Sequence, residues 1–79
     1  MKELQVSFDT IRDVEQFVRI ATAAVGSVRV SIGDRVTNGK SILGLISMGL
    51  SKTLTVAFDG SDAEYHTFLT AISDFLVTN

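Results

Sequence analysis

The 79-residue chain contains no cysteine and no proline, and it has one histidine, His66. Without thiols it can form no disulfide, no thiolate nucleophile and no cysteine-ligated zinc site. A single histidine cannot build a histidine-rich metal site, so neither a metal nor another cofactor is expected. An excess of positive charge is also missing. Seven basic and nine acidic side chains leave a net charge of −2, scattered along the sequence. Nucleic-acid binding needs a basic stripe that neutralises phosphates, so no nucleic-acid partner is expected. Nowhere does an apolar run approach the roughly 20 residues that span a bilayer. The opening Met1–Val6 alternates polar and apolar residues in place of a signal-peptide core. The expectation is a cytoplasmic protein without a membrane partner.

What is present suits one small folded domain over residues 1–79. Apolar residues make up 46% of the chain, too many for a disordered one. Three segments alternate with period two. Leu4, Val6 and Phe8 share one side of Glu3–Phe8; Val28, Val30 and Ile32 share one side of Ser27–Ile32; Leu54, Val56 and Phe58 share one side of Thr53–Asp59. Each reads as a strand buried on one face and wet on the other, a pattern that suits an antiparallel sheet covered on one side. Gly33-Asp34 supplies a hairpin turn, which makes Arg35–Asn38 a further short strand.

Helical spacing runs through Arg12–Val25, where Val14, Phe17, Val18, Ala21 and Val25 form a stripe. Thr10-x-x-Asp13 resembles a capping pair at its start, and Gly26 is a terminator. Ser61-x-x-Glu64 opens a second long helix whose apolar side holds Tyr65, Phe68, Leu69, Ile72, Phe75 and Leu76. Between these helices, Ser41–Ser47 predicts a short helix with Ser41 as N-cap and Gly49 near its end. The order is β-α-β-β-α-β-α. The expected fold is α+β: an open-faced two-layer sandwich, with helices on one face of a four-stranded antiparallel sheet.

That element order and length are those of HPr proteins, the phosphocarriers of the bacterial sugar phosphotransferase system. The specific match is Lys40-Ser41-Ile42-Leu43-Gly44-Leu45-Ile46-Ser47-Met48-Gly49-Leu50. It resembles the regulatory-serine motif of HPr proteins from low-GC Gram-positive bacteria: a Lys-Ser pair, a short apolar helix with an internal Gly, then Ser-apolar-Gly-apolar. Gln16-Phe17-Val18 also falls where the first family helix often has similar residues. The family's active-site motif reads Gly-apolar-His-Ala/Thr-Arg-Pro-Ala. Alignment through Arg12 and Gln16-Phe17-Val18 puts Phe8–Val14 on it. Arg12 is retained, Thr10 stands where the phosphoacceptor histidine should be, and Asp13 replaces the proline.

The chemistry of that substitution matters. Imidazole both accepts and releases a phosphoryl group, whereas a threonine alkoxide is a poor leaving group at neutral pH. Asp9, Asp13 and Glu15 further oppose an incoming phosphate. The residues leave two readings of Thr10, an N-cap or a vestigial acceptor site. Arg12 is either an anion contact or a surface arginine of the first helical turn. His66 falls among polar positions of the last helix, as a solvated surface histidine. Ser41 is an N-cap that, by the resemblance, is also a target for a dedicated ATP-dependent kinase, with Lys40 adding a cation beside the phosphate. Again by the resemblance, the outward apolar residues around Ser41 form a docking patch, for which Ile42, Leu43, Ile46 and Met48 are the candidates together with Lys40 and Arg12.

The resulting expectation is not an enzyme, since no nucleophile is paired with a base. It is a non-catalytic regulator similar to the catabolite-repression paralogue of HPr, acting by protein–protein binding. The partners implied are an HPr kinase/phosphorylase, a catabolite-control transcription regulator or a phosphotransferase component. Two alternatives stay open: a phosphocarrier with an unusual acceptor, and a repurposed interaction or oligomerisation module without phosphorylation. Both monomer and dimer are compatible with the sequence.

Overall fold

The computed structural model describes residues 2–77. Strands β1 (Lys2–Val6), β2 (Ser27–Ile32), β3 (Arg35–Asn38) and β4 (Leu54–Asp59) form one antiparallel sheet in the order β1-β4-β2-β3. Helices α1 (Ile11–Ala23), α2 (Ile42–Ser47) and α3 (Asp62–Ala71) are interleaved with them, and a 3₁₀ turn over Ser73–Phe75 follows α3. This is the expected α+β open-faced sandwich.

The inward residues are those that the alternation assigns. Val6, Phe8, Val28, Val30, Leu54, Val56 and Phe58 are all buried, and α1 adds Val14, Phe17 and Ala21. Rings dominate the centre. Phe17 lies 5.1 Å from Phe8 and 6.1 Å from Phe68, while Phe58 stacks on Phe68 at 4.9 Å. Among the described residues no polar or charged side chain is buried. The core therefore carries no desolvation penalty for unpaired polar side chains. On the other face, Glu3, Gln5, Ser27 and Arg29 stand in water. The turn between β2 and β3 is the expected two-residue one, closed by the Ile32–Arg35 pair, with positive φ at Gly33 only.

Two helices end earlier than their apolar stripes suggest. Helix α1 stops at Ala23, and Val25, expected on its buried side, is 68% exposed. The cause is tertiary. Register pairs Ser27 with Asp59, and Gly26 must pass so close to β4 that an added Cβ would sit 2.5 Å from the Asp59 carbonyl oxygen. The backbone turns extended at Ala24 to make that approach. Helix α3 likewise ends at Ala71 instead of running on through Leu76. The chain there is drawn to the free edge of β1. Ser7 N–H donates to the Phe75 carbonyl and Val77 N–H to the Gln5 carbonyl, both at 2.9 Å, and Leu76 bridges to Val6. The 3₁₀ turn delivers Phe75 to the core while its backbone covers that edge.

Candidate functional site

Thr10 is the N-cap of α1, with extended backbone and a hydroxyl that accepts from the Asp13 N–H at 3.2 Å. Asp13 replies one residue further out than a capping box does: its carboxylate accepts from the Asp9 N–H at 3.1 Å. The first turn of α1 thus already holds an anion of its own. Arg12 and Ile11 are exposed there, and Ile11, at 51% exposure, is one of four large apolar side chains left open to water among the described residues.

The second candidate region lies alongside. The Phe8 carbonyl just before α1 accepts from Ser51 N–H at 2.7 Å, which ties the segment leaving α2 to the segment entering α1. Ser41 caps α2 as expected, its hydroxyl accepting from the Gly44 N–H at 3.2 Å, and its side chain is half-buried. Lys40 beside it is exposed. Its own N–H donates to the Asn38 side-chain oxygen at 2.9 Å.

The apolar residues around Ser41 divide sharply. Leu45 and Met48 point into the core, and Met48 is only 3% exposed. Its expected place on a docking patch is therefore corrected: residues i and i+3 of a short helix share one face, and that face is the one pressed on the sheet. Ile42 and Ile46 are half-buried against the core, while Leu43 is 78% exposed. Of the apolar candidates, Leu43 is the one a partner meets in full.

Two determinants of this region have no local signature. Arg35, at the start of β3, donates to the Ser47 carbonyl at 3.1 Å and to the Ser47 hydroxyl at 3.0 Å, and that hydroxyl in turn donates to the Gly44 carbonyl at 2.7 Å. A cation thus meets the carbonyl end of α2, the end where the helix has unpaired acceptors. Gly44 faces inward too: a Cβ there would collide with the Thr37 side chain, so the glycine lets α2 lie directly on β3. We expect Arg35→Ala to destabilise the fold by about 1 kcal/mol. Amide exchange at Leu45 and Met48 should speed up more than exchange in β4. Uniform acceleration across the protein would contradict a clamp specific to α2.

His66 lies on α3, exposed, with its ring 5.9 Å from that of Tyr65. The start of α1 has no histidine. Among the described residues no cluster of histidine or carboxylate groups is placed to hold a metal ion. No helix there is long and apolar enough to cross a membrane.

Comparison with known proteins agrees with this geometry. The family model described as "PTS HPr component phosphorylation site" matches residues 10–77. Among solved structures, HPr-C-His from Thermoanaerobacter tengcongensis superposes with a TM-score of 0.75 at 25% identity, covering 94% of this chain and 89% of that one. The phosphocarrier protein HPr of Bacillus anthracis str. Ames gives 0.72 at 23% identity, covering 96% of both chains. The histidine-containing phosphocarrier protein of Mycoplasma gives 0.72 at 18%, covering 92% of this chain and 89% of that one, and at such identities the likeness is one of fold. No curated protein matches the chain significantly. With the family model spanning nearly all of the described residues and the sheet order, helices and capping serine in place, the chain belongs to the HPr family of the phosphotransferase system.

Proposed function

We propose that this protein is a non-catalytic HPr-like regulator, one domain over residues 1–79, that works in the cytoplasm by binding other proteins and is switched by phosphorylation at Ser41. The observation that carries this reading is the whereabouts of its only imidazole. His66 is on α3, while α1 opens on a threonine whose hydroxyl is engaged in capping. A phosphoryl relay through histidine at the start of α1 has no nitrogen to use. Thr10 fills the acceptor's position as an N-cap, and Arg12 is left as an exposed cation available to an acidic partner.

Ser41 supplies the alternative chemistry. Its oxygen already accepts from a backbone amide, and Lys40 stands next to it. Esterification keeps that oxygen as an acceptor and adds a dianion beside Leu43, the apolar side chain that stands most open on α2. A partner that packs on Leu43, Ile42 and Ile46 then meets a different charge before and after modification. The partners proposed are an HPr kinase/phosphorylase, a catabolite-control transcription regulator and a phosphotransferase component.

The test is incubation with an HPr kinase and ATP, followed by mass spectrometry. One acid-stable phosphate on Ser41 is expected, with none on a Ser41→Ala variant that retains its circular dichroism spectrum. In parallel, enzyme I and phosphoenolpyruvate should leave the chain unmodified. An acid-labile phosphorylated species in that second reaction would restore the carrier reading. Failure of the kinase to modify the folded protein would remove the regulatory one.

A further inference from the structure

A hollow of about 320 Å³ lies where β2 begins and β3 ends, away from the start of α1. Its walls include Ser27, Arg29, Asn38 and Lys40. Arg29 and Asn38 are register partners, exposed on neighbouring strands. Both titratable groups in the lining are cations, in a protein whose net charge is −2. Neither cation is paired: among the described residues the one ion pair joins Lys2 to Asp62. The acids nearest by register are Asp59, opposite Ser27, and Glu3, which lies beyond Ala57 from Arg29. Neither lines the hollow.

We propose that this hollow binds a phosphate dianion, free or carried as a monoester, through Arg29, Lys40 and the Asn38 amide. The donor set matches that ligand. The guanidinium offers a planar fork for two phosphate oxygens, and the ammonium offers a mobile point charge. The Asn38 side-chain oxygen is engaged by the Lys40 N–H at 2.9 Å, so the amide NH₂ remains as a third donor. Two cations balance the two charges of a phosphomonoester, and a carboxylate monoanion uses that field less fully. With no acid in the lining, an ammonium ligand finds no counter-charge.

The phosphate can come from a free small molecule or from a phosphorylated side chain of another protein, and the experiment separates these sources. The unphosphorylated, ¹⁵N-labelled chain is titrated at constant ionic strength with inorganic phosphate, with blocked phosphoserine and with acetate. Saturable amide shifts centred on Arg29, Asn38 and Lys40 are expected with a phosphate ligand, and weaker ones with acetate. Arg29→Gln and Lys40→Gln should each weaken binding about tenfold, while Arg19→Gln on α1 leaves it unchanged. Saturation by inorganic phosphate alone identifies a free phosphate as the source, and saturation by phosphoserine alone identifies a side-chain one. Non-saturating shifts with both, or undiminished affinity in both Arg29→Gln and Lys40→Gln, would overturn the proposal. Since no kinase and no modified Ser41 enters the titration, its outcome is independent of the regulatory reading above.

Discussion

Phe17→Ala is expected to lower the stability of this protein by about 3–5 kcal/mol, the usual cost of removing a fully buried phenylalanine from a core that cannot collapse around the void. Phe17 has no exposed surface. Its ring is in contact range of Phe8 at 5.1 Å, Phe68 at 6.1 Å and Phe75 at 6.5 Å. One truncation therefore strips partners from the entry to α1, from α3 and from the 3₁₀ turn together. A domain of 79 residues has about 4–12 kcal/mol of total stability to lose, so a large part of it goes with this ring. The thermal midpoint should fall by at least about 12 °C. Circular dichroism is the suitable probe, because the chain has no tryptophan. A fall below about 5 °C would show that the aromatic cluster is not the centre of the core.

The second large effect concerns backbone and not volume. Gly26→Ala should cost about 3 kcal/mol, because φ at this position is +122°, a region that only glycine occupies without strain. The new methyl group also has nowhere to go: it meets the Asp59 carbonyl oxygen at 2.5 Å and the Phe58 ring at 3.3 Å. Gly33 provides the internal comparison. Its φ is +57°, within the left-handed region that other residues reach at modest cost, and nothing lies within 4 Å of an added Cβ. Gly33→Ala should therefore cost about 1 kcal/mol. Urea denaturation of both variants reads the difference directly. Equal midpoints would mean that the close passage of Gly26 over β4 does not govern how α1 hands over to β2.

The two measurements bear on function through geometry. The phenylalanine cluster sets the height of α1 above the sheet, and the Ser51–Phe8 hydrogen bond then couples α2 to the same end of the molecule. The exposed Ile11, Arg12 and Leu43 are carried by these helices, and the exposed Lys40 directly precedes the N-cap of α2. A surface presented by two short stretches of helix is only as well defined as the core beneath it. Gly26 acts at the opposite end of α1, where it fixes the start of β2 and with it the position of Arg29 in the hollow on the outer face.

Much of this architecture could be read locally. Alternation at Val28 and Val30, and at Leu54, Val56 and Phe58, marks residues that face the core because adjacent strand positions point to opposite sides. Caps are equally legible, since Thr10, Ser41 and Ser61 each satisfy a backbone donor three residues on. The Lys40–Leu50 motif pointed to the HPr family, and the family match and the sheet order agree. Other features have no local code. Val25 continues the spacing of the α1 stripe and is nevertheless exposed, because what ends the helix is a carbonyl on β4. Phe75 and Leu76 continue the stripe of α3, but the open edge of β1 draws their backbone out of the helix. Met48 looks like its neighbours on an apolar segment until the side of α2 that meets the sheet is known. Arg35 is twelve residues from the serine it holds.

By itself, then, the amino-acid order determined which strand residues face the core, where helices begin and how many strands there are, since these follow from side-chain period and from bonds within one turn, while the Lys40–Leu50 motif carried the resemblance to HPr. It also determined that one imidazole exists, and that it is residue 66. Only the tertiary structure decided where helices stop, which apolar side chains of α2 remain open to a partner, and that Arg29, Asn38 and Lys40 surround one hollow. Those outcomes depend on groups that meet across the sheet, and the energy of such a contact is written in no single segment of the chain.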